Sequence, residues 1–384
     1  MSFRSLAILL LSLVLGSPAG AQTPDAFDSK AKQVYLVDSG TGTVLFARKE
    51  TEPVTAASLA KAMTLAVAFK ALKAGEVSLQ TSYPVSEHAW RTGGAPSRTA
   101  TMFAALKSEV PVESLIRGVA VQAANDACII LAEGMAGSEA AFAARMNAEA
   151  QALGLSQSRF ANATGLPDPG NKTSMRDLVG LARHLRETYP EYYRYYAEPE
   201  FEWNRIKQRN RNPLVGMNIG VDGLMFGFAE DSGYGLLASV EREGRRLYLA
   251  MSGLANEKER IDEARRMIDW GMTAFGSKRL FKAGDTIAEA SVYGGSVHKV
   301  ALVTPADVEV LLPVDNKERL SARVVYGWPL QAPIVPGQQV GVLRIWNGDQ
   351  FLREVPLQTA GAVEVGTLSS RALDALQELL FFWL

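Results

Sequence analysis

Ser58-Leu59-Ala60-Lys61 sets a hydroxyl and an amine three residues apart, which on a helix places both on one face within hydrogen-bond reach. A neutral lysine so placed takes the serine proton and turns the hydroxyl into a nucleophile. The start of a helix favours negative charge at Ser58 and disfavours a protonated amine beside it, so both effects push toward the same chemistry. Ser29 to Lys32 and Ser296 to Lys299 share the separation, so context has to decide. Ser58 opens a strong helical pattern directly after two β-rich runs, and Thr55-Ala56-Ala57 and Ala60 are small enough to leave it accessible. On spacing and context alone, a surface helix start and a nucleophile are equal readings.

The elements that would hold this pair follow from periodicity. Gln33 to Asp38 and Thr43 to Ala47 read as a hairpin around Ser39-Gly40-Thr41-Gly42. From Ser58 the apolar positions Leu59, Met63, Ala66, Phe69 and Leu72 fall three or four apart and stop at Gly75, which predicts a helix. Further helices are expected over Pro111 to Arg117, Asn125 to Glu133, Ser138 to Leu153, Met175 to Leu185 and Lys258 to Phe275. A second hairpin, Gly235 to Val240 with Arg245 to Ser252, turns at Glu243-Gly244. Strands at both ends of a helical middle predict an α+β domain over residues 30–276 whose terminal strands share a sheet. After Gly276 the pattern changes to short alternating runs, such as Val308 to Leu312 and Val340 to Ile345, and predicts a small all-β domain over residues 278–367.

The two ends read differently. Arg4, the apolar run Leu6 to Leu15 and the small residues ending Ala19-Gly20-Ala21 have the order of a secretory signal peptide, residues 1–21, which predicts export. Residues 368–384 place Leu373, Leu376, Leu380 and Leu384 on one stripe, followed by Phe381, Phe382 and Trp383. That pattern is an amphipathic helix, too short to span a bilayer, lying in the outer face of the inner membrane or docked on the β domain. Lys plus Arg is 40 against 41 Asp plus Glu, so no global positive field draws nucleic acid. Cys128 stands alone and the three histidines, His88, His184 and His298, are scattered, which leaves no metal-ligand spacing and predicts no cofactor.

Longer blocks carry a resemblance. Ala57-Ser58-Leu59-Ala60-Lys61-Ala62-Met63-Thr64, Ser86-Glu87-His88-Ala89-Trp90 with Gly93-Gly94-Ala95-Pro96-Ser97, Val121-Gln122-Ala123-Ala124-Asn125-Asp126-Ala127-Cys128, Phe160 to Asp168 and Val221-Asp222-Gly223-Leu224 resemble the serine D-alanyl-D-alanine carboxypeptidases, the low-molecular-mass penicillin-binding proteins. The resemblance spans nearly the whole chain after the leader and implies the penicillin-binding/serine β-lactamase-like transpeptidase fold followed by a β domain and an amphipathic helix. It implies that Ser58 attacks the bond between two D-alanines of the peptidoglycan stem peptide, that Lys61 is the base, and that β-lactams trap the same serine. Of the family's Ser-x-Asn motif the chain keeps Asn125, an amide that holds the substrate backbone, and has Ala123 in place of the hydroxyl. Of the Lys-Thr-Gly motif it keeps Gly227, with Met225 and Phe226 in place of the polar pair; the backbone N–H of Phe228 would complete an oxyanion hole with that of Ser58. Arg211, in a stretch that resembles the family's approach to this strand, reads either as a replacement cation for the substrate carboxylate or as an exposed arginine serving solubility. A lost relay member typically costs 10² to 10⁴ in rate, and a lost charge-assisted hydrogen bond about 1.5 to 3 kcal/mol. These departures favour, as an alternative, an impaired family member that binds peptidoglycan or a cell-wall partner. A β-lactamase relative is a third reading, opposed by the β domain and terminal helix.

Overall fold

The computed structural model describes residues 27–368 and, for the backbone, residues 6–11. The described chain divides into two units, one made of Phe27–Gly40 with Leu45–Thr273, the other of Thr41–Val44 with the residues from Ala274 onward. Each is treated separately.

The first unit is built on a five-stranded sheet. Its strands are β1 (Gln33–Asp38), β2 (Val44–Arg48), β3 (Val221–Ala229), β4 (Gly233–Arg242) and β5 (Arg245–Leu254), in the order β3-β4-β5-β1-β2. β5 and β1 pair antiparallel from Leu247↔Asp38 to Ser252↔Gln33, so the two ends of the unit share a sheet as the alternating runs predict. The helices are α1 (Lys61–Lys73), α2 (Val112–Gln122), α3 (Asn125–Ala136), α4 (Glu139–Ala152), α5 (Met175–Thr188) and α6 (Glu257–Thr273). β3 is an edge strand with one neighbour, β4, aligned through Gly227↔Gly235 and Phe228↔Tyr234.

The periodicity predicts one apolar stripe on the helix after Ser58, whereas α1 is buried over almost its whole circumference from Lys61 to Leu72. Ala62, Ala66, Ala68 and Ala71 between the larger residues leave room for close packing on several sides, which suits α1 to a central position in the unit. The α-helix also starts later than predicted: Ala57–Ala60 is a turn of 3₁₀-helix, and the α-helical ladder begins at Lys61. α2 continues past the predicted Arg117 to Gln122 and ends with Ala123 in the left-handed region, φ 51°.

The second unit is all-β. Thr286–Tyr293, Lys299–Val303, Gln350–Thr359, Gln339–Asn347 and Leu320–Gly327 are neighbours in one sheet, and Phe275–Phe281 pairs with Val308–Pro313 in a separate ladder. Alternate residues turn inward, Leu320, Ala322, Val324 and Tyr326 on one strand meeting Leu343, Ile345 and Leu357 in a shared apolar core. Residues 41–44 belong here because the Thr43 hydroxyl accepts a hydrogen bond from the Leu311 backbone N–H at 3.2 Å. Of the predicted leader, only Leu6–Leu11 is described, as an extended segment pairing antiparallel with Leu320–Gly327. The predicted terminal helix lies outside the described residues from 369 onward. Among the described residues no single helix is long and apolar enough to cross a membrane.

Candidate active site

Ser58 stands on the 3₁₀ turn Ala57–Ala60, entered through Ala57 at φ 46°, a conformation costly for a residue with a Cβ. The turn feeds straight into α1, and the Lys61 Nζ reaches the Ser58 Oγ at 2.8 Å. The i, i+3 spacing therefore does bring the two groups together. Lys61 is 1% exposed because the helix that carries it is the core helix. Burial lowers its pKa from 10.5 to about 8, and the Arg211 guanidinium acts in the same direction. An exposed arginine from a distant segment thus supplies part of the positive field that Met225 cannot.

Lys61 also donates to the carbonyl oxygen of Thr164 at 2.6 Å, and one turn further along α1 the Thr64 hydroxyl donates to the Ala163 carbonyl at 2.6 Å. Helix and loop are clamped together at consecutive carbonyls. The loop is held from its other side by Asn162, whose Oδ1 accepts from the backbone N–H groups of Thr164 at 3.2 Å and Gly165 at 2.8 Å. Gly165 is needed here, with φ 72° and no room for a side chain: a Cβ would stand 1.7 Å from the Ala57 carbonyl oxygen. Residues 162–165 therefore fix the Lys61 amine beside Ser58, a role that the sequence block containing them did not disclose.

The α2–α3 junction forms a second wall. Asn125 opens α3 and is nearly buried, donating through Nδ2 to the Thr99 hydroxyl at 2.9 Å, while its Oδ1 has no hydrogen-bond partner. An unpaired buried amide oxygen carries a desolvation cost that a bound ligand with an N–H would offset. The next residue, Asp126, does structural work. Its carboxylate accepts from the Thr101 hydroxyl at 2.6 Å and from the backbone N–H groups of Met102, Ala104 and Ala127 at 2.9, 3.1 and 3.0 Å, which pins residues 101–104 to α3. Cys128 is fully buried, and burial pushes its thiol up to about 12, so it is neutral and unreactive. Ala123 brings no hydroxyl to this wall, whereas the Thr99 hydroxyl, bonded to Asn125, does.

The third wall is β3. Gly227 lies against Ser58: a Cβ there would be 3.1 Å from the Ser58 backbone nitrogen and 3.3 Å from the Ala57 methyl. Met225, two residues away on the same strand face, is 1% exposed. Phe226 and Phe228 project from the opposite face. The Phe226 ring covers the guanidinium of Arg260 from α6 at 5.1 Å, the Tyr234 ring covers it at 5.6 Å, and Phe228, 53% exposed, stacks on Tyr234 with centroids 4.6 Å apart. Arg260 is 3% exposed, has its Nη1 3.5 Å from the Gly227 carbonyl oxygen, pairs with Glu257 at 3.2 Å, and leaves Nε without a partner. One cation among several in a charged helix, it gave no signal in sequence. Arg211 is anchored by its backbone N–H to the Val121 carbonyl at 2.9 Å, one turn of chain before the Asn125 wall.

A serine bonded to a buried lysine of lowered pKa, a glycine of an edge strand against the serine nitrogen, and an amide at a helix start are the groups that serine acyl transfer would require. The comparisons with known proteins give the family. The family profile described as D-alanyl-D-alanine carboxypeptidase matches residues 19–254, and that of the penicillin-binding protein 5 C-terminal domain matches residues 275–365. The D-alanyl-D-alanine carboxypeptidase DacC of Escherichia coli strain K12 is 33% identical over 386 residues, 99% of this chain and 96% of that protein. DacD of Salmonella typhimurium is 32% identical over 97% of this chain and 96% of its own. The crystal structure of penicillin-binding protein 5 from Haemophilus influenzae superposes with a TM-score of 0.73 at 32% identity, covering 90% of this chain and 100% of that one. The chain belongs to the serine-type D-alanyl-D-alanine carboxypeptidase family of low-molecular-mass penicillin-binding proteins.

Proposed function

We propose that this protein is an exported serine carboxypeptidase that removes the terminal D-alanine from peptidoglycan stem peptides through an acyl-enzyme on Ser58, and that β-lactams acylate the same residue. The observation that carries the reading is the 2.8 Å bond between the Ser58 Oγ and a buried Lys61 Nζ whose pKa lies near 8. With that pKa, about a tenth of the molecules hold Lys61 neutral at pH 7, enough for a general base. The Ser58 Oγ attacks the carbonyl carbon between the two D-alanines while its proton passes to the Lys61 Nζ. The oxyanion forms at the Ser58 N–H and that of Phe228, beside Gly227. As the C–N bond breaks, Lys61 returns the proton to the departing D-alanine amine. Water then attacks the ester, giving its proton to Lys61, and the Ser58 Oγ leaves and takes that proton back. Asn125, with its unpaired Oδ1, holds the backbone of the acyl part, and Arg211 faces the substrate carboxylate. Residues 368–384 hold the protein at the outer face of the inner membrane.

The test is incubation of the purified mature protein with a fluorescent penicillin followed by intact mass, alongside release of D-alanine from diacetyl-L-lysyl-D-alanyl-D-alanine. Labelling at Ser58 with release of D-alanine is expected, and Ser58→Ala removes both. Labelling that survives in Ser58→Ala overturns the nucleophile assignment, and labelling without release returns the chain to an acyl trap or binding protein.

A further inference from the structure

We propose that Thr55, Asp231 and Lys172 are positioning residues: they form a clamp that holds Gly227 of the edge strand at its working distance from Ser58 and thereby sets the rate of acylation. The inference rests on the acyl-enzyme reading and deepens it. Thr55 lies three residues before Ser58, and Asp231 lies in the turn between β3 and β4, four residues after Gly227. The Thr55 hydroxyl meets the Asp231 Oδ2 at 2.6 Å and the Lys172 Nζ at 3.0 Å, and Lys172 stands 3.7 Å from the same carboxylate oxygen. The directions follow from the proton count. A carboxylate can only accept and an ammonium can only donate, so the single Thr55 proton goes to Asp231 and a Thr55 lone pair takes a Lys172 proton. Both bonds carry a charge at one end, and the Thr55 bond, with Lys172 behind it, holds the Asp231 carboxyl below the usual carboxylate range.

Three segments far apart in the chain meet at Thr55. On one side Val54 and Thr55 pair antiparallel with Thr173 and Lys172, and the Ala56 N–H donates to the Asn171 carbonyl at 3.1 Å. On the other, the Ser232 hydroxyl donates to the Thr55 carbonyl at 3.2 Å, while the Ser232 carbonyl accepts from the Gly253 N–H and the Ser252 hydroxyl, both at 2.9 Å. The turn that bears Asp231 is thus anchored to β5 and reaches across to the segment that bears Ser58. Next to these ties the two backbones run close, with a Cβ on Gly227 3.1 Å from the Ser58 nitrogen. β3 is an edge strand with ladder bonds on one side, so the ladder alone does not set its distance from the Ser58 turn. In the proposed mechanism the oxyanion forms across this gap, where a misplacement of about 1 Å costs up to about a hundredfold in rate. The Asp231 and Lys172 side chains are 62% and 39% exposed, and exposed pairs add little to global stability, so the clamp acts on the geometry of the site.

The experiment follows acylation of Ser58 by a fluorescent penicillin and separates the initial binding constant from the first-order acylation rate. Thr55→Val keeps the shape and removes both hydroxyl bonds, and Asp231→Ala removes the acceptor. In each, the acylation rate is expected to fall about tenfold or more, with the binding constant changed by less than about twofold. Tm is expected to move by less than about 4 °C. Thr55→Ser keeps the hydroxyl and is expected to acylate within about threefold of the unaltered protein. Thr55→Val combined with Asp231→Ala is expected to match the slower single variant within about twofold, because the same link is broken once. An unchanged acylation rate in both single variants, a loss confined to the binding constant, losses that multiply in the double variant, or a larger fall in Tm overturns the inference and leaves the carboxypeptidase reading standing. The measurement needs labelling alone, so a chain that labels without releasing D-alanine tests the clamp equally. Absence of labelling in the unaltered protein together with absence of D-alanine release overturns the carboxypeptidase reading itself and the inference with it.

Discussion

In the proposed mechanism Lys61 sets the working pH. Its amine must be neutral to accept the Ser58 proton, and with a pKa near 8 the neutral fraction grows as pH rises through that value. kcat/KM for penicillin acylation is therefore expected to climb between about pH 7 and 9 with an apparent pKa close to 8; a flat profile would remove Lys61 from the role. The Arg211 guanidinium lowers the Lys61 pKa, so Arg211→Gln is expected to move the rising limb to higher pH and slow acylation at pH 7. Arg211→Lys keeps the charge and is expected to restore the profile. A purely structural arginine would leave the limb where it was. At this scale the contact between Ser58 and Lys61 was legible from spacing because i, i+3 contact is a property of any helical turn, but Ser29 to Lys32 and Ser296 to Lys299 share that spacing, and only the longer blocks of family resemblance singled this pair out. Arg211 and Arg260 were not, since what they do depends on groups far away in the chain.

Two elements hold the site, and each has a residue whose loss is measurable. Gly165 brings the 162–166 loop against Ala57 in a conformation that alanine resists, with no space for its methyl. Gly165→Ala is expected to destabilise the unit by more than about 3 kcal/mol and to abolish labelling of Ser58 in whatever folded protein remains. Asp126→Ala strips one acceptor from a hydroxyl and three backbone N–H groups at once. A loss of about 3 kcal/mol is expected, read in a melt as a fall in Tm of roughly 6–12 °C. A change smaller than about 2 °C would show that the 101–104 loop is held by other means. The Asn125-Asp126 pair was legible as a helix start, and α3 does start there. The central position of α1 was not, because a count of large apolar residues passes over the alanines that allow close approach.

At the scale of the whole molecule, every hydrogen bond described for the site lies between residues 55 and 260, inside the unit formed by Phe27–Gly40 and Leu45–Thr273. A fragment ending at Thr273 is therefore expected to label at Ser58 with fluorescent penicillin at a rate within about twofold of the full chain. Loss of labelling in a folded fragment would mean that the second unit supports the site. The alternating strands after Gly276 were read as all-β from their period of two, and the sheet and core follow that period strand by strand.

The sequence by itself determined what depends on near neighbours: the helical and extended periods, the serine and lysine one turn apart, and the order of blocks that places the chain in its family. Only the tertiary structure decided how far the Lys61 pKa falls, since that requires α1 to be surrounded on all sides. It also decided that Thr164 and Gly165 brace the amine, that Arg211 acts on it from another segment, and that Phe226 and Tyr234 cover Arg260. Each of these is an interaction between segments far apart in the chain, and local spacing carries no record of which distant residues folding will bring within a few ångströms.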